Sequence, residues 1–178
     1  WRMAVVAAVL LAMGFVAVAF FTAGETALTA WDRDMAERVS AARGDAWAHL
    51  LWAFTLLGNT PVLAMLTALA ALTLLLWGRR GEAAFIAAAV LSATGLSHLF
   101  KALLGRTRPE QALALIETPT SYSLPSGHAF VTAVFLVALV VLVWNQRSRR
   151  LRIGVVVTAL VVAVLVGLSR VYLGVHWT

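Results

Sequence analysis

The stretch Met3 to Phe21 carries no charged side chain, and four more apolar stretches follow it: about Pro61–Trp77, Glu82–Leu104, Ser126–Trp144 and Ile153–Leu173. A helix that crosses a bilayer needs about 20 apolar residues. Five such helices with their connections fill 178 residues. The expected fold is therefore all-α: one polytopic transmembrane helical bundle with five spanning helices, and a single membrane-embedded domain over residues 1–178. Composition agrees, with 62% apolar and 12% charged residues, against about a quarter charged in a soluble domain. The chain has no cysteine, which excludes a disulfide framework. Met3–Phe21 is too long for a signal-peptide core and no small-residue cleavage pattern follows it, so it reads as the first spanning helix. A start at Trp1 and a stop at Thr178 directly after an apolar run suggest part of a longer protein.

Between the first and second spans, Gly24–Asn59 holds acidic as well as basic residues: Glu25, Asp32, Arg33, Asp34, Glu37, Arg38, Arg43 and Asp45. Trp47, Leu50, Leu51, Phe54 and Leu57 recur there at helical spacing. This predicts a helix lying at the membrane interface, with Trp31, Trp47 and Trp52 near the headgroups. Asn59-Thr60-Pro61 reads as a helix start, with Thr60 as the cap and Pro61 at the first helical position.

Net charge is +6, and thirteen of the fourteen basic residues are Arg. In so apolar a chain this reads as the positive-inside pattern rather than a nucleic-acid surface. Arg79 and Arg80 and the Arg147–Arg152 cluster fall on one side of an alternating bundle, and Arg2 agrees with them. That side is expected to be cytoplasmic. Gly24–Asn59, the polar Gly105–Pro125 loop and the end of the fifth helix then face outward.

The outward side nevertheless carries cations, and these form three clusters. Lys101 and Arg108-Pro109 bracket the end of the third span, where Gly105 is expected to stop the helix. Pro125-Ser126-Gly127-His128 opens the fourth. Ser169-Arg170 and His176 close the fifth. Ser126 and Gly127 present a helix start whose free N–H groups attract an anion. Arg offers a planar fork and Lys a point charge, a set suited to phosphate. One imidazole beside a phosphate can attack phosphorus and a second can protonate the leaving oxygen. No metal site is expected: there is no cysteine and no His/carboxylate pair at helical spacing, and the cations would repel a divalent ion.

The order Lys-x6-Arg-Pro, Pro-Ser-Gly-His, Ser-Arg-x5-His resembles the type-2 phosphatidic acid phosphatases, and Leu56-Leu57-Gly58-Asn59-Thr60-Pro61 is also similar to that family. The resemblance implies that His176 is the nucleophile, forming a phosphohistidine, and that His128 is the general acid. It implies that Lys101, Arg108, Ser126, Gly127 and Arg170 hold the phosphate. It further implies an Asp that orients the nucleophile, on a sixth helix after Thr178. The implied activity is a metal-independent, cofactor-free lipid phosphatase in a bacterial plasma membrane, with its site on the extracytoplasmic side. Its partners would be membrane lipids and a lipid phosphate or pyrophosphate, with no nucleic acid. Phosphatidylglycerol phosphate, phosphatidic acid, diacylglycerol pyrophosphate and undecaprenyl pyrophosphate are the candidate substrates.

Two other functions fit parts of the pattern. A non-catalytic phospholipid-binding or transport protein would be expected to lose a histidine, yet His128 and His176 are both present. Vanadate-dependent halide oxidation fits poorly with five spans and no large soluble domain. Of the remaining residues, His98 reads as a structural polar group or a partner for the loop, and His49 as interfacial. Arg106 reads equally as a solvated loop arginine or a contact to a headgroup or second phosphate. Tyr122 and Ser123 read as loop packing, and Ser169 as a hydrogen-bonding neighbour of the site. Ala87, Ala88, Ala89, Ser92, Ala93 and Gly95 read as close helix packing rather than a lipid channel.

Overall fold

A computed structural model describes residues 13–22, 26–144 and 148–177. Residues 13–21 are helical (α1), and Phe15 lies against Phe100 with ring centroids 5.1 Å apart. Then come α2 (Ala27–Ala41), α3 (Asp45–Leu57), α4 (Thr60–Leu76), α5 (Arg80–Leu104), α6 (Gly127–Val143) and α7 (Arg149–Tyr172). A single 3₁₀ turn, Gln111–Leu113, interrupts the loop between α5 and α6. Among the described residues the structure is all-helical. Most of the first expected span, together with Arg2 and Arg147, lies outside them, as does the sixth helix expected after Thr178.

Helices α5 and α7 are long and apolar enough to cross a membrane. Helices α3 and α4 pass the same test only as a pair, bent by 51° at their junction, and α6 is apolar but has 17 residues. The single helix expected in the segment before α4 becomes two. Gly24–Asn59 contains two helices, and α3 runs into the bent pair while packing against α7. The cap of α4 also moves by one position. Asn59 is the cap, with no side-chain hydrogen bond, and Thr60 is the first helical residue. Pro61 explains the break, since it has no N–H to give the carbonyl of Leu57.

The core is assembled from stripes at helical spacing. On α5 the buried positions are Ala83, Ile86, Val90, Ala93, Ser97 and Lys101. The first four meet Leu63 and Leu74 of α4 and Val131, Phe135 and Ala138 of α6. The stripe that fills the core therefore delivers Ser97 and Lys101 to the far end of α5. Gly105 ends this helix in the left-handed region at φ 59°, as its position predicts. The small residues of α5 do not all pack tightly. Ala93 is buried and Ala89 rests on the core, but Ala88, Ser92 and Gly95 are exposed, and Ala87 lines a cavity.

Candidate active site

The C-terminal ends of α5 and α7 and the N-terminal end of α6 meet at one end of the bundle. Between them lies a cavity of about 500 Å³. Lys101, Arg108, Gly127, His128, Arg170 and His176 all line it. Ser126 does not. It caps α6, its Oγ accepting from the N–H of Ala129 at 3.4 Å. The capping leaves the amides of Gly127 and His128 in the first turn, where no carbonyl four residues back can take them. From this end the cavity continues between α4 and α5 as an apolar limb lined by Leu63, Ala64, Ala68, Ala71, Val90 and Leu91.

His176 follows α7 by four residues, through a turn at Gly174, where φ is +75°. A Cβ at Gly174 would overlap the carbonyl oxygen of Leu113, so the turn requires glycine twice over. The imidazole is 6% exposed, and its two nitrogens have different partners. Nε2 lies 2.8 Å from Nη1 of Arg108, and Nδ1 lies 3.3 Å from Oγ of Ser123. A guanidinium can only donate, so Nε2 holds the lone pair and Nδ1 carries the proton. Burial, together with the charges of Arg108, Arg170 and Lys101 and the neighbouring His128, drives this imidazole down to about 2. Both effects favour the neutral ring over the imidazolium.

Arg108 is fixed on several sides, its Nε donating to the Ser121 carbonyl at 2.6 Å and its Nη1 to that of Val175 at 2.7 Å. Burial lowers its pKa from the ordinary arginine value. Lys101 donates to the carbonyl of Tyr122. Arg170 donates from Nη1 to Oγ1 of Thr55 at 2.7 Å, while its Nε is buried without a hydrogen-bond partner among the described residues.

Three positions here escape a reading of the sequence. Ser123 is not mere loop packing: it is 3% exposed and faces the imidazole. Thr55 holds Arg170 from 115 residues away, and no local pattern marks it. Gly58 sits where a Cβ would come within 2.9 Å of Cβ of His128. The one signal for Gly58 is its place in the Leu-Leu-Gly-Asn-Thr-Pro stretch. Gly58→Ala is expected to displace His128, lowering turnover and costing about 1–3 kcal/mol by overpacking. Thermal unfolding and kcat of the purified variant check this.

The other expectations divide. His98 lines the cavity one turn before Lys101, and His49 is exposed, with Nδ1 donating to the carbonyl of Asp45 at 2.7 Å. Ser169 is fully buried and spends its hydroxyl on the carbonyl of Val166, inside its own helix. Arg106 is not a solvated loop arginine. It pairs with buried Asp32 and lies over the Trp177 ring, 5.5 Å from its centroid.

The profile of the PAP2 superfamily matches residues 82–178, which include the Lys-x6-Arg-Pro, Pro-Ser-Gly-His and Ser-Arg-x5-His blocks but not Leu56–Pro61. The crystal structure of a transmembrane PAP2-type phosphatidylglycerolphosphate phosphatase from Bacillus subtilis superposes with a TM-score of 0.85. It is 26% identical and is aligned over 95% of this chain and 84% of its own. Among curated proteins no sequence matches.

Proposed function

The chain belongs to the PAP2 superfamily, and from that premise we propose that it is a membrane lipid phosphatase acting through a phosphohistidine on His176. The observation that carries the reading is the placement of His176, whose Nε2 lies 2.8 Å from Arg108 at the cationic end of a cavity with an apolar limb. The cationic end suits a phosphate, and the apolar limb suits the chain attached to it. Arg108, Lys101 and Arg170 would hold the non-bridging oxygens, with the amides at Gly127 and His128 as neutral donors. As Arg108 turns to the phosphate, the lone pair on Nε2 is released toward phosphorus. Nε2 then bonds to phosphorus as the bond to the lipid oxygen breaks, and His128 gives that oxygen a proton. In the second half, His128 takes a proton from water, which attacks phosphorus and releases inorganic phosphate and the neutral His176.

Phosphatidylglycerol phosphate, the substrate named for the Bacillus subtilis protein, is the first to test; phosphatidic acid and lipid pyrophosphates follow. The experiment is phosphate release from this panel by the full-length protein with EDTA present. The charged side chains lining the site are cations, and among the described residues no three of His, Asp or Glu come together. Turnover in EDTA is therefore expected to match turnover in magnesium. Loss in EDTA restored by magnesium alone would overturn metal independence, and no release from any lipid would overturn the function.

We also place the protein in a bacterial plasma membrane as a five-span bundle with the site outside. Arg79, Arg80, Arg149, Arg150 and Arg152 lie at the opposite ends of α5 and α7 from the cavity, which supports this orientation. Cysteines introduced at Gln111 and Ser148 should label from opposite faces, the first in intact cells. Labelling of both from one face would contradict the topology.

A further inference from the structure

Outside the cavity, the charged stretch before α3 makes a contact that the proposed mechanism does not use. Asp32 on α2 is 1% exposed and pairs with Arg106, whose side chain is 11% exposed. Arg106 reaches the nucleophile from two directions. Its guanidinium lies over the ring of Trp177, the residue after His176. Its carbonyl accepts from the N–H of Ser123 at 2.7 Å, and Ser123 faces Nδ1 of His176. The next two loop residues grip the same segment: Trp177 Nε1 donates to the carbonyl of Thr107 at 2.8 Å, and Arg108 holds Val175 and His176.

From this juxtaposition we infer that Asp32 is a positioning residue for His176, acting through Arg106 on Trp177, the next residue in the chain, and on Ser123, which faces Nδ1. The inference rests on His176 being the nucleophile. A buried ion pair contributes little net stability, because desolvation offsets the attraction. What it supplies here is geometry. The pair anchors the Gly105–Pro125 loop to α2, and the loop sets the direction of Nε2 and the partner of Nδ1. A small error in that direction is expensive, since a misplacement of about 1 Å can cost about 10²-fold in rate.

The test compares Asp32→Asn, Arg106→Gln, Arg106→Lys and the Asp32→Asn/Arg106→Gln double variant with wild type. Each is assayed for steady-state turnover and single-turnover phosphoenzyme formation on a lipid phosphate and an aryl phosphate. Asp32→Asn and Arg106→Gln should each lower kcat by about tenfold to 10²-fold on both substrates alike, with KM within about twofold. The equal loss follows because the aim of the nucleophile, not departure of the leaving group, is impaired. Arg106→Lys keeps the cation over Trp177 and should recover most of the rate. The double variant should be no worse than the poorer single one, because both break one linkage. Wild-type kcat in Asp32→Asn, a change confined to KM, or losses that multiply in the double variant would overturn the inference. So would failure of both single variants to fold, which would make the pair purely structural. If wild type itself forms no phosphohistidine, it is the proposed function that fails. If wild type forms it and Asp32→Asn matches its rate, only this inference fails.

Discussion

His176→Ala should abolish turnover on every substrate, a loss on the order of 10⁶-fold, or about 8 kcal/mol of barrier. The size follows from the kind of step removed. Without Nε2 there is no covalent intermediate, and the cations that remain can bind phosphate but have nothing to transfer it to. Binding should survive, since Arg108, Lys101 and Arg170 keep their own partners in Ser121, Tyr122 and Thr55. A competitive phosphate analogue should therefore still bind His176→Ala with near wild-type affinity. Turnover within about tenfold of wild type would place the nucleophile elsewhere, since general acid–base help alone accounts for only about 10²–10⁴-fold.

His128→Ala should lose activity in proportion to how much its leaving group needs a proton. A lipid alkoxide is a poor leaving group, so the loss should be about 10²–10⁴-fold. An aryl phosphate with a stable phenolate departs with little protonation, and much of the rate should survive. Parallel assays of the variant on the two substrates measure the difference directly. Equal losses on both would remove His128 as the general acid. Its place at the second position of α6, against Gly58, would then be a matter of packing alone.

The parts of this site that could be read from the sequence are those tied to helix ends. Lys101 precedes Gly105, Ser126 precedes His128, and Arg170 precedes His176, each pair straddling the end of an apolar run. An alternating bundle then brings the three ends together without further information. Contacts that span the chain were not legible. Thr55 and Arg170 are 115 residues apart, and Asp32 and Arg106 are 74 apart, with no periodicity joining them.

Asp32 was hidden for a second reason. A charged residue in a charged stretch reads as solvated, because burying an unpaired carboxylate is costly. Its pairing with Arg106 offsets part of that cost, and that partner lies in another loop. The amphipathic pattern of Trp47, Leu50 and Leu57 was likewise ambiguous. A helix lying on a membrane and a helix packed on α7 both require one apolar face. Pro61 and Gly58, rather than periodicity, decide where that helix ends and the next begins.

Trapping the intermediate tests the central claim most directly. Full-length protein is mixed with a lipid carrying radiolabelled phosphate, denatured within one turnover under alkaline conditions that preserve phosphohistidine, and digested. The label should be stable to alkali, labile to acid, carried by the peptide containing His176, and absent from His176→Ala. Label on another residue, or turnover with no protein-bound phosphate at any time point, would contradict the account.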